Sequence, residues 1–505
     1  MRRAAPLLLL MIGALAAASA ACRSKDSGTE TASRATSDSA SEPAPTAHRG
    51  QIPLTTTSDE ARTLYVRGRD LFEQARGHDA RPLFQQAAAK DPTFAMAHYY
   101  LAFSSPSPKE FLAHLNEAVS LSSKASEGER LLILALQAGV NGDSRKSTDL
   151  SEELVAKYPD DPRAHAQLGN AYFNQQEFDK ATSELTKATK LDPRYSPAYN
   201  SLGYAYMPQG KYPEAETAFK KYIELVPKDP NPYDSYAEML MRTGRFDESI
   251  AQYRKALSVD PQFTGSYIGI ASDLMFQGKH GAAAAQAQKL YDAARDDGDR
   301  RTAMLSRAVI YVDQGQAAQA MREMEKLYAL DGRHGDTAAM SADAGQMGDI
   351  LLGAGRADEA GKRYQQSLTL IQGSGLSTQL KDIAKLADHY NLARVALAKG
   401  DTATGSKHAQ QYISGAAATN DVGRIRQGHE LEGMIALQAK DFDKAIDELG
   451  QADQQDPYIL YTMATAYQAK GDAAKAKELA GRAARMNILP TIRYALVRTK
   501  AMKMS

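Results

Sequence analysis

"HAQLGNAYFNQQEFDKATSELTKATKLDP" (165–193) is followed by "YNSLGYAYMPQGKYPEAETAFKKYIELVP" (199–227), and the two are one pattern written twice. A third copy runs to Pro261. Tyr172, Tyr206 and Leu240 lie 34 residues apart, as do Gly169, Gly203 and Ala237. Leu185, Phe219 and Tyr253 keep the interval, and so do Pro193, Pro227 and Pro261. Self-similarity at such a period is the signature of a stacked array. Within one copy His165, Leu168, Gly169 and Tyr172 form a single helical stripe, and Ala181, Leu185 and Ala188 form its counterpart on a second helix. A glycine inside a helix costs about 1 kcal/mol relative to Ala, so Gly169 and Gly203 predict backbones in close contact. "LDP" and "VP" end the second helix, because proline lacks an amide donor and disfavours helix in the residue before it.

These positions closely resemble the tetratricopeptide repeat family, with Tyr199, Tyr233 and Tyr267 where the family has a Trp. The resemblance implies an all-α fold, a right-handed superhelical solenoid of stacked helix-turn-helix units. It also implies function through a concave groove lined by the first helices. The stripe facing that groove gives the candidate partner-binding residues Asn170, Phe173, Asn200, Tyr204, Met207, Asp234, Glu238 and Met275. The asparagine amides suit an extended backbone, and the aromatic and methionine side chains suit apolar pockets. The family's carboxylate-gripping basic residues are missing, since Ala166 stands where Lys is expected. An internal segment, apolar with a basic residue for Asp234 or Glu238, is therefore the expected partner.

Outward from the repeats, the chain divides into five stretches. Residues 1–21 read as a signal peptide, with Arg2 and Arg3 ahead of the apolar run "PLLLLMIGALAAA". The ending "SAAC" resembles a bacterial lipoprotein signal, which makes Cys22 the expected lipidation site; cleavage after Ala20 would instead leave a soluble secreted or periplasmic protein. Cys22 is the sole cysteine, so disulfides within the chain are excluded. Residues 22–57, rich in Ser, Thr, Ala and Pro, read as a disordered tether. An N-terminal array is expected over 58–295, a C-terminal array over 296–490, and a basic capping helix over 491–505. "SEGERLLILALQA" (126–138) is a helix capped by Ser126 with Glu129 three residues on. It resembles repeat segments attached to bacterial sensor kinases and transcriptional regulators, over roughly residues 60–275. "IQGSGLSTQ" (371–379) breaks the array as a hinge.

No catalytic or phosphate-loop motif is present, so no enzyme activity and no cofactor are expected. Gly210-Lys211 and Gly278-Lys279 fall in turns between paired helices. His98, His165, His389 and His429 occupy packing positions without a ligand cluster. With 61 basic and 61 acidic side chains, the chain lacks the excess positive charge of a general nucleic-acid binder. The expected function is a lipid-anchored scaffold in the bacterial cell envelope that binds protein segments and no small-molecule substrate. A regulatory module of envelope signalling and an enzyme of unrecognised chemistry are the alternatives.

Overall fold

The computed structural model describes residues 51–74, 76–419 and 421–505. The expected signal peptide, Cys22 and most of the tether lie outside these residues. Among the described residues there are 25 α-helices and no strand; 24 of the helices pair into twelve antiparallel hairpins.

The regular hairpins show why the period produces this shape. Helix Pro162–Asn174 opens on Asp161, whose side chain accepts from the Arg163 amide, with Pro162 in the first turn. It ends at Gln176, which takes φ 64°. In the next hairpins a glycine fills that position, Gly210 at φ 71° and Gly278 at φ 74°, so the two Gly-Lys pairs are turns. Helix Phe178–Leu191 follows and buries Ala181, Leu185 and Ala188 completely. Ser196–Tyr206 and Tyr212–Leu225, then Asn231–Arg242 and Phe246–Val259, repeat the arrangement, followed by Thr264–Phe276 and His280–Asp292. The former Trp position has a bonding role of its own. Tyr199, Tyr233 and Tyr267 donate to the carbonyls of Pro193, Pro227 and Pro261 at 3.3, 3.0 and 2.9 Å. His165 meets the Pro159 carbonyl the same way at 2.8 Å. Each first helix is thus tied to the proline that ended the hairpin before it.

First helices of adjoining hairpins touch directly. Tyr204 donates to Glu238 at 3.0 Å and Ser266 to Asp234 at 2.8 Å. This places the first helices on the inside of the curve. Stacking continues without a break through Asp297–Asp313 and Ala317–His334, then Thr337–Gly353 and Ala357–Gln372. Thr378–Ala398 with Thr402–Thr419, Val422–Gln438 with Phe442–Gln451, and Pro457–Lys470 with Ala473–Ala484 complete it.

The curvature carries the later hairpins back over the earlier ones. The Lys109 amide bonds Asp336 at 3.2 Å, and Arg424 bonds the Gly142 carbonyl at 3.0 Å. Gln176 bonds Asp453 at 2.9 Å and Arg242 bonds Gln455 at 3.3 Å. Phe111, Leu112, Leu115 and Val140 share an apolar cluster with Ala338, Leu376 and Leu380. The expected hinge at 371–379 therefore carries Leu376, which with Leu380 in the following helix helps to seal one turn against the next.

Two expected segments differ from this picture. The tether composition extends to residue 57, but residues 52–57 form an ordered strap. Ile52 and Thr55 give their amides to Asp161 and Glu129 at 2.9 and 3.0 Å, and Thr56 bonds Asp91 at 2.6 Å. Ser126 and Glu129 form the expected capping box, and Glu129 takes the strap as well. The last helix, Ile492–Met504, stacks on the last hairpin with Lys500 and Lys503 exposed, but it does more than cap. It buries Ile492, Tyr494, Ala495, Val497, Arg498 and Ala501. Lys500, Met502 and Lys503 stay exposed, so the helix is enclosed along its buried side alone.

One buried group departs from ordinary packing. Asp273 is fully buried and both its carboxyl oxygens lack a hydrogen bond. Ser249 faces it but gives its hydroxyl to the Ala237 carbonyl at 2.8 Å. Burial pushes the Asp273 pKa up to about 8. The folded state then keeps a proton that the unfolded chain releases near pH 4, so this residue lowers stability as pH rises from about 4 to about 8. Asp273→Asn is expected to remove that slope, gaining several kcal/mol at pH 8.5 and little at pH 4. Urea unfolding at both pH values checks this; parallel curves for the two proteins would contradict it.

Candidate functional site

The inner face of residues 162–276 contains all eight candidate residues, and the structure sorts them by exposure. Asn170, Phe173, Asn200, Tyr204 and Glu238 are half-buried on the groove side. Met207, Asp234 and Met275 are buried. Met207 packs with Tyr236, Met239 and Leu240 of the next first helix. Asp234 accepts from Ser266, and Met275 lies in the core beside Met304 and Ile310. The correction has one physical cause. Neighbouring first helices stand so close that part of the groove stripe becomes the contact between them.

The five remaining residues form a mixed surface. The Tyr204 ring meets Phe219 edge-on at 5.3 Å while its hydroxyl holds Glu238. Phe173 packs edge-on against Phe178 at 5.6 Å. The Asn200 side-chain oxygen is enclosed and has no hydrogen-bond partner. One margin of this groove is closed by the first hairpin, because Arg163 reaches Glu73 at 3.0 Å. Burial, with Arg295 nearby, pushes the His78 pKa of that hairpin down to about 3.

Of the four histidines named from the sequence, His165 is buried and His98, His389 and His429 are half-buried. His98 meets His114 at 3.4 Å and His389 meets His408 at 3.1 Å, while His165 and His429 bond Glu184 and Glu448. Among the described residues no group of three or more His, Cys, Asp or Glu is placed to hold a metal ion. No described helix is long and apolar enough to cross a membrane.

Sequence reasoning missed a second inner face, in the later turn. There the terminal helix runs along the first helices. Arg493 bonds Tyr390 at 2.9 Å, Glu430 at 2.6 Å and Asp456 at 2.7 Å, and lies 4.1 Å over the Tyr458 ring. Arg498 bonds Asp313 at 2.7 Å and lies 5.5 Å over Phe276. His280 holds the other Asp313 oxygen at 2.8 Å. Leu496 fills the space left open by Gly353. The available signal was in the last fifteen residues, where apolar side chains recur on every face of the helix and no acidic residue occurs.

A tetratricopeptide-repeat family model matches residues 65–104 and 167–230, and a second one matches residues 231–263. Together with the hairpin geometry these matches decide the family. This chain is a tetratricopeptide-repeat (TPR) protein. Its repeats make it a protein-interaction scaffold, a class that is generally non-catalytic.

Several solved structures are similar to this TPR protein. One is a tetratricopeptide repeat protein from Parabacteroides merdae, 16% identical, with 57% of this chain and 99% of that one covered and a TM-score of 0.35. Another is a thermophilic TPR protein of Thermus thermophilus, 24% identical, covering 43% and 99%, at 0.28. YrrB, described as a TPR protein with an unusual peptide-binding site, is 18% identical, covering 38% and 96%, at 0.25. The likeness extends to no site. Comparison with curated proteins finds no match.

Proposed function

We propose that this TPR protein is a scaffold tethered to the bacterial cell envelope by lipid on Cys22, recruiting partner proteins through the inner face of residues 162–276. The observation that carries the groove reading is the line of half-buried side chains Asn170, Phe173, Asn200, Tyr204 and Glu238 on successive first helices. The Asn170 amide suits the extended backbone of a bound segment. Glu238 suits a basic side chain in that segment. A free carboxylate would meet Glu238 without a cation to pair with. The partner segment is therefore internal to its chain. The anchor reading is supported by the apolar run ahead of the sole cysteine. Each lipid methylene buried in a bilayer contributes about 0.8 kcal/mol, so two or more acyl chains hold firmly.

Two variants test the two halves separately. Cys22→Ser should move the protein from the membrane fraction to the soluble one; equal retention would remove the anchor. Asn170→Ala, Asn200→Ala and Glu238→Lys together should keep the helical content and lose partner capture. Undiminished capture would remove the groove.

A further inference from the structure

The terminal helix stacks on the last hairpin and also crosses to the inner side of earlier ones. Every other described α-helix pairs into one of the twelve hairpins, and Ile492–Met504 follows the last of them. It packs against both helices of the last hairpin, Pro457–Lys470 and Ala473–Ala484, and against the first helices Asp297–Asp313 and Thr337–Gly353. Through Arg493 it also reaches Tyr390 and Glu430, on two further first helices. Touching successive first helices from the inside is the position of a ligand in a solenoid groove.

The chemistry of the fit is specific. Residues 491–505 carry Arg493, Arg498, Lys500 and Lys503 and no acidic side chain. The face they meet supplies Asp313, Glu430 and Asp456. Aromatic rings at Phe276 and Tyr458 lie under the two guanidinium groups. Between the arginines, Leu496 enters the gap at Gly353. The helix also starts on its own cap, since Thr491 accepts from the Tyr494 amide. Residues 485–491 link it to the last hairpin. Opposite charges across the contact favour rapid rebinding.

We propose that the inner face of the later turn is a binding site for a basic amphipathic helix, filled in cis by residues 492–504 and opened when a partner protein's helix of the same chemistry replaces it. The partner helix presents two basic residues five positions apart around an apolar residue that fits over Gly353. This is a second site, apart from the groove of residues 162–276. The covalent link gives the resident helix a high effective concentration, so the partner has to match its contacts closely.

The probe is a synthetic peptide of residues 488–505, added to the full chain carrying Cys22→Ser and, at the exposed Met502, Met502→Cys with a fluorophore. Saturable displacement of the labelled helix is expected. A peptide with Arg493→Ala and Arg498→Ala should compete at least about tenfold less well, and higher salt should weaken both. A second variant, Cys22→Ser with Gly353→Cys and Leu496→Cys, locks the helix by a disulfide. It should refuse the peptide until reduced. The Asn170→Ala, Asn200→Ala, Glu238→Lys variant should take up the peptide normally, which separates this site from the groove. No displacement at millimolar peptide would overturn the proposal. So would equal uptake by locked and reduced protein.

Discussion

Arg498→Met is expected to cost about 3–5 kcal/mol, because it leaves the buried Asp313 carboxylate without its cation. The loss should appear at two places far apart in sequence, the terminal helix and helix Asp297–Asp313. Hydrogen exchange resolves both, and their amides should lose protection together. Adding Asp313→Asn should recover much of the loss, since neither member of the pair is then charged, and His280 still has an oxygen to bond. Loss confined to residues 492–504, with no rescue by the second change, would mean that the pair does not hold the later turn together.

Gly203→Leu is expected to cost about 1–3 kcal/mol through overpacking. A Cβ at Gly203 would stand 2.6 Å from two atoms of the Phe219 ring, and Phe219 is fully buried with no free space to retreat into. The hairpins within 162–261 should loosen more than Val422–Gln438 and those after it, since each unit is held chiefly by its neighbours. Exchange protection measured along the chain reads this directly. Unchanged protection over 162–261 would put the packed face elsewhere.

The period of 34 residues was enough to read the hairpin, its turn and its packed stripe. Gly169, Gly203 and Leu185 lie where that period places them, with a Cβ at Gly169 only 2.7 Å from Leu185. What the period could not carry is the sum of small rotations between hairpins. The bonds from Lys109 to Asp336 and from Gln176 to Asp453 follow from accumulated curvature, which no local pattern encodes. The groove was legible to the level of a helix face and no further. Asn170 and Tyr204 remain on the surface, but Met207 and Asp234 are lost between neighbouring first helices. The approach of those helices depends on side chains one unit away. The strap over 52–57 was hidden for a compositional reason. Its threonines and proline look like tether, and just Ile52 and Leu54 mark it, packing beside the Leu131 and Tyr65 clusters. The terminal helix has the clearest missed signal, because arginines set among apolar residues on every face call for acidic partners in an enclosed site.

The central claim is that partner proteins are held on the inner face of the first helices. Photo-crosslinking from a benzoylphenylalanine placed at Phe173 tests it most directly, with the same residue at the exposed Thr217 of a second helix as control. The account predicts adducts from position 173 and none from 217. Adducts from 217 alone, or equally from both positions, would contradict it.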